Sequence, residues 1–234
     1  MAQTVSKGRF LLLGLFVLAL VGLAIPALSQ KPATAAVPPA MDDEVVLPSR
    51  VAAAIDRTAS ALDRSESRVD DQQYGSAAAS LSALDADLVR THRAANIQFH
   101  APPPDPEAEA TPGPSSVLAV LTLEQWAITR LAGLYDSLTD PIVLNRLSSS
   151  LNTALTKRDK MLNAVLKLNP EGAGLPYADG MADSLDGYAD EVANLTEALN
   201  VDRLTTSARA ALQNALTRSQ ATADKVNAAF GGAD

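Results

Sequence analysis

The sequence predicts an all-α protein, and three observations carry that expectation. Leu, Ala, Arg, Asp and Glu dominate the folded stretches while aromatic residues make up only 4%. No segment alternates apolar and polar residues with the period of a strand. Apolar residues instead recur three and four apart over long runs, which places them on one face of a helix. The expected arrangement is an antiparallel up-down-up-down four-helix bundle over residues 116–230, preceded by an N-terminal αα-hairpin over residues 49–99 and by an export or anchor helix.

Taken in order, the chain begins with Lys7 and Arg9 and no acid, followed by an unbroken apolar or glycine run over residues 10–25. That pattern is an export signal. Pro26 breaks it, and Ala27-Leu28-Ser29 offers small residues for a signal peptidase that would cut before Gln30. The apolar stretch at residues 10–28 also approaches the roughly 20 residues that span a bilayer, so retention as an N-terminal anchor is the other outcome. In both cases residues 1–29 are a signal peptide or anchor, the positive flank stays inside, and the remainder crosses the membrane. Residues 30–48 hold Pro32, Pro38, Pro39 and Pro48 among alanines, a composition suited to a spacer.

From residue 49 helical spacing appears: Val51, Ile55, Thr58, Leu62 and Val69 form one set, and Tyr74, Ala77, Leu81, Leu84 and Leu88 a second. The phase slips between them at Asp70-Asp71-Gln72-Gln73, which favours a tight turn and a hairpin over one long helix with a stutter. The hairpin's apolar stripe is thin and rich in alanine, so it needs another surface to lie on. Residues 100–115 are acidic and packed with proline and read as a linker. The densest apolar run follows, at residues 117–168, as two helices joined at Thr139-Asp140-Pro141. Asp140 can accept from free amides at a helix start and Pro141 lacks the amide that would go unpaired. After a stop at Asn169-Pro170, a third helix carries Ala178, Met181, Leu185, Tyr188, Val192, Leu195 and Leu199 in three-four alternation. The last has Leu204, Ala208, Leu212, Ala215, Ala223, Val226 and Phe230 inward and stops at Gly231-Gly232.

Composition excludes several function classes. A formal charge of -8 and a pI near 4.8 argue against nucleic acid, whose phosphates need clustered cations. The absence of cysteine removes disulfides, thiolate metal sites and cysteine nucleophiles. Tyr74-Gly75-Ser76-Ala77 lacks the second glycine and the strand of a serine nucleophile turn, and no phosphate loop or dinucleotide fingerprint occurs. Asn194-Leu195-Thr196 matches a glycosylation acceptor but lies within a helix. No cofactor is expected.

Asp179, Asp183, Asp186 and Asp190 share one side of the third bundle helix, but helical spacing splays carboxylates too far for a calcium loop. The expectation is therefore no metal site and pairing of these acids with Arg146, Lys157, Lys160 and Lys167 of an adjacent basic helix. His92 and His100 do not share a face and are expected at the surface. Trp126 points away from the bundle core and needs cover, either from the N-terminal hairpin or from a partner protein or lipid, so it marks a candidate interaction surface. Glu124 and Arg158 each interrupt an inward apolar stripe. They stand 16 residues before and 18 after Asp140, so an antiparallel pair of helices brings them level, and a direct buried salt bridge with a structural role is expected.

The DRSESRVDDQQY stretch from Asp63 and the closing SQATADKVNAAFGGAD from Ser219 resemble uncharacterised exported α-helical proteins of high-GC Gram-positive bacteria, which have no assigned activity. The resemblance implies only export and an unassigned role. The reading expected from residues and resemblance together is a non-enzymatic, exported helical bundle that serves as a structural or protein-binding module at the cell envelope. Another envelope protein would be its partner, and membrane contact would come only through residues 10–28 if uncleaved. The alternative is an extracytoplasmic ligand-binding or sensory domain held by an uncleaved N-terminal helix. A ligand site would require convergent polar groups inside the bundle, whereas the inward positions read almost all as Leu, Ala, Val and Ile.

Overall fold

The computed structural model describes residues 47–100, 112–168 and 175–231, all within one compact unit, Ala40–Asp234. The export segment, the expected lone helix at residues 10–28, nearly all of the spacer and the linker at residues 101–111 lie outside the described residues. The described residues form helices and no strand: α1 (Ser49–Asp70), α2 (Tyr74–Phe99), α3 (Pro112–Ser137), α4 (Pro141–Leu166), α5 (Leu175–Asp183), α6 (Leu185–Leu199) and α7 (Thr206–Phe230).

Backbone groups at the helix ends are answered locally. α1 stops through two bonds, Gln73 N to Arg68 O at 2.8 Å and Gln72 N to Val69 O at 2.9 Å. That closure requires a left-handed residue, and Gln72 takes it with φ 57°. Arg68 then donates to Ser76 O and to the Ser80 hydroxyl, and Thr91 donates to Ala54 O, so α1 and α2 are bonded to each other at two levels. α3 begins at Pro112, within the stretch read as linker; a proline at a helix start leaves no amide unpaired. Asp140 caps α4 as its sequence implies, accepting from Ile142 N and Val143 N, both at 2.9 Å. Thr205 caps α7 by accepting from Ala208 N.

The acidic helix, read as continuous from Ala178 to Leu199, is interrupted at Ser184. There the Ser184 hydroxyl donates to Met181 O at 2.7 Å, competing with the backbone ladder, and the Gln125 amide donates to Ser184 O at 3.4 Å. Gly180 and Gly187 bring these two segments close to α3. A methyl at Gly180 would sit 2.6 Å from Leu118 Cδ1, and one at Gly187 2.9 Å from Gln125 Oε1.

α3 is the central helix, packed against α1, α2, α4, α5 and α6; α4 also meets α2 and α7, and α7 also meets α5 and α6. By length and composition, residues 114–137 of α3 could cross a membrane, but most of that stretch is buried against the other helices. The acidic and basic helices are not packed side by side as expected. α4 packs on α2, α3 and α7, while α5 and α6 lie across from it against α3 and α7. Asp179, Asp183, Asp186 and Asp190 are exposed and form no ion pair with Arg146, Lys157, Lys160 or Lys167. The reason is the order of the helices: α4 shares neighbours with α5 and α6 but does not pack on them, so its exposed cations and their exposed carboxylates stand apart.

Two apolar clusters build that core. The first joins Leu62, Leu81, Leu88, Leu131, Tyr135, Leu147, Leu155, Leu195 and Leu212; the second joins Val51, Ala95, Val117, Leu121, Leu162, Val165, Met181, Tyr188, Val226 and Phe230. Each fully buried leucine contributes about 1.5–3 kcal/mol. α1 and α2, whose own stripe is too thin to stand alone, contribute to both clusters.

The turn after α1 provides a test. Replacing Gln72 by glycine removes a side chain from a left-handed position, so urea unfolding should show a gain of about 1 kcal/mol or less, whereas Gln72→Val should lose stability.

Candidate functional site

Between the two apolar clusters lies a layer of buried polar side chains, one or two from each of six helices. On α1 it is Thr58, on α2 Thr91 and His92, on α3 Glu124 and Gln125, on α4 Arg158, on α6 Glu191, and on α7 Ser219 and Thr222. Along each helix these residues separate positions of the first cluster from positions of the second.

Arg158 holds one half of the layer together. Its guanidinium has no exposed surface and donates to Glu191 Oε1, which also accepts from the Ser219 hydroxyl. Arg158 Nη2 donates to Asp159 Oδ1 at 2.9 Å and to Thr222 Oγ1 at 3.3 Å. The face of the Tyr188 ring lies 5.8 Å from the guanidinium carbon, within cation–π range. Asp159 Oδ2 accepts from Arg218 Nη2 at 2.8 Å, and Arg218 also donates to Asn152, so the network runs from the core out to a half-buried edge. Burial works against the charge on Arg158, but Glu191 and Asp159 outweigh it and hold its pKa above the ordinary value. Burial pushes the Glu191 carboxyl up, against the lowering effect of Arg158. The Tyr188 hydroxyl is pushed up by burial as well.

The other half is less well satisfied. Glu124 is completely buried and neither carboxylate oxygen has a hydrogen bond. His92 Nδ1 lies 3.4 Å from Glu124 Oε1, an ion-pair distance without hydrogen-bond alignment. Burial raises the Glu124 pKa, with His92, Arg158 and Lys157 pulling the other way. Beside this pair the hydroxyls of Thr58 and Thr91 are 2.8 Å apart.

The inward placement expected for Glu124 and Arg158 is observed, but their direct salt bridge is not. The ionic partners of Arg158 are Glu191 and Asp159, and that of Glu124 is His92. Glu124 and Arg158 act on each other through space only. Glu191 approaches from across the core and captures the guanidinium, which a count along two neighbouring helices cannot reveal. His92, expected at the surface, is buried, while His100 is exposed. His92 follows Leu84 and Leu88 at helical spacing, so the signal was present. In α6 the expected Tyr188 and Leu195 are buried and the expected Val192 and Leu199 pack half-buried against the first cluster, while Glu191 and Ala198, which were not expected inside, are buried beside them.

Trp126 is half-buried against the first apolar cluster, with the Arg130 guanidinium 4.4 Å from its ring centroid. Arg130 donates in turn to Asp63, at 2.7 Å, and to Glu66, both on α1, so a guanidinium held by α1 lies over the indole. An open groove of about 510 Å³ lies elsewhere, between α2 and α4, lined by Ala78, Ala79, Ser82, Ile142, Asn145, Arg146 and Ser149. Ile142 is 73% exposed there. Among the described residues no group of three or more His, Asp or Glu is placed to hold a metal ion. No protein-family model, curated protein or solved structure matches the chain.

Removing one member of the buried pair leaves a charge without a partner. Arg158→Met should therefore cost about 3–5 kcal/mol in urea unfolding, and Arg158→Met combined with Glu191→Leu should recover most of that loss. Equal losses in the single and double variants would show that Glu191 does not answer Arg158.

Proposed function

We propose that this chain is an exported, non-enzymatic helical module that serves a structural or protein-binding role at the cell envelope. The observation that carries the reading is the state of the buried polar layer. Its charged groups converge as those of a ligand or catalytic site would, yet Arg158, Glu191, Asp159, Ser219 and Thr222 answer one another, and Arg158, Glu124 and Glu191 have no exposed surface. A substrate would have to displace these pairs to reach them. The layer instead supports a role in fixing helix register, the best-attested use of buried charge.

In this reading α3, α4, α6 and α7 form a four-helix bundle of alternating up-down direction, in which α4 neighbours α7 and α3 neighbours α6, and α1 and α2 are a hairpin docked on α3 and α4. The groove between α2 and α4 supports the binding role, because an exposed isoleucine over an alanine floor is the kind of surface a partner protein covers. The acidic balance of the chain, at -8, argues against a nucleic-acid partner. The N-terminal apolar run supports export, with residues 1–29 removed or kept as an anchor.

N-terminal sequencing of the protein recovered from a Gram-positive host tests the location. Gln30 as first residue in the medium indicates a secreted module, and Met1 or Ala2 in the membrane fraction an anchored one. Recovery from the cytosol with an intact N-terminus would overturn the envelope role.

A further inference from the structure

We propose that His92 and Glu124 form a one-proton latch that holds the α1–α2 pair against α3, and that losing this proton as the pH rises releases the pair. Unlike the envelope role, this device requires nothing of the N-terminal segment.

The geometry places the pair on a seam. His92 comes from α2 and Glu124 from α3, they stand 3.4 Å apart, and both are buried. Neither Glu124 oxygen nor His92 Nδ1 has a hydrogen-bond partner, and the ion-pair contact of Glu124 is with His92. With one proton between them the pair is either an ion pair or a neutral acid beside a neutral imidazole, and its net charge is zero in both forms. Removing that proton leaves a carboxylate buried without a close partner, which a protein interior tolerates poorly.

The surroundings do not replace the proton. From α4, Arg158 and Lys157 act on Glu124 at a distance, but the Arg158 guanidinium is already engaged by Glu191 and Asp159. From α6, Tyr188 faces it as a buried phenol, and Glu191 points its charge at Arg158. α1 meets α2 here through Ala54, Thr58 and Thr91, none of them charged. α5 brings the buried Tyr177 and Met181 to the apolar cluster that includes Leu121.

The sign follows from linkage. Burial raises the Glu124 pKa, so its contribution is fully present below the ordinary carboxylate value and is lost as the pH rises through the raised one. Asp85 acts in the same sense at the second seam of α2. Burial raises its pKa against the lowering effects of Ser150 and Arg146 of α4, and its Oδ1 is buried without a partner. Asp87 is paired with Arg90 on its own helix and lies outside this device.

The single tryptophan reads the seam directly, because Trp126 lies on α3 beneath Arg130, which α1 holds through Asp63 and Glu66. Urea unfolding of the full chain is followed at Trp126 emission and at helix circular dichroism from about pH 5 to about pH 9, for the wild type and Glu124→Gln. In the wild type the Trp126 midpoint should fall as the pH rises and should move ahead of the helix midpoint. Between the pH at which the released pair loses its proton and the higher pH at which the docked pair does, the ratio of released to docked chain should grow by about tenfold per pH unit, and above that it should level off. Glu124→Gln should lose that one-proton part of the slope. A wild-type Trp126 midpoint that does not move with pH, or an equal slope in Glu124→Gln, overturns the proposal. Should the variant fail to fold, NMR of the Glu124 carboxyl carbon and the His92 ring in the wild type decides: one proton lost above the ordinary carboxylate range and sensed at both groups supports the latch, and the absence of any such shared step overturns it.

Discussion

The desolvated guanidinium of Arg158 is the constraint on which the described structure depends. A cation with no exposed surface costs several kcal/mol unless every direction around it is answered. Here the answers come from Asp159 next to it on α4, Glu191 on α6 and Thr222 on α7, at sequence separations of 1, 33 and 64 residues. Because the pairing needs three helices at one level, a slip of any of them by a turn would leave a charge facing leucine. Cores built from Leu, Ala and Val carry little information of their own about register, since such side chains exchange places at small cost. The polar layer supplies that information.

α3 gathers the consequences. It carries Glu124 toward α2, Gln125 toward Ser184, and Trp126 and Arg130 toward α1. Three adjacent residues thus address three different neighbours, which is possible because successive side chains on a helix point about 100° apart. The apolar surface of α3, sufficient by composition for a membrane span, is spent on this central position. The contrast between the two halves of the layer is one of degree: around Arg158 opposite charges and hydroxyls are in contact and one Glu191 oxygen, Oε2, is left without a partner, whereas Glu124 has one weak partner and two unsatisfied oxygens.

Much of this was legible in the residues. Asp140-Pro141 announces a cap whose geometry the structure shows, and the phase slip before Tyr74 marks the turn at which Gln72 takes positive φ. Glu124 and Arg158 were visible because each breaks an otherwise apolar stripe. Their partners were not, since periodicity describes one helix at a time and the pairing of Arg158 with Glu191 crosses the core. Glu191 was hidden further by Val192 beside it, which supplies the apolar residue of that turn and packs half-buried on the core while Glu191 goes deeper. Ser219 and Thr222 give no signal in the sequence, because small hydroxyl residues fit inside and outside alike. The expected pairing of the acidic face with the basic helix failed for the same reason: charge complementarity names suitable partners without saying which helices are neighbours.

Gly180 and Gly187 stand seven residues apart, as do Leu118 and Gln125, which they face. The spacing between α3 and the acidic segments is therefore set at two points by the absence of a side chain, and the second of these lies beside Glu124. Substitutions there are coupled across the interface. An alanine at position 180 would push aside the end of the Leu118 side chain, and one at 187 the end of Gln125, whose amide bonds Ser184 O; a smaller residue at 118 or 125 would relieve each contact. Chains descended from a common ancestor should accordingly vary at 118 with 180 and at 125 with 187, as compensating pairs.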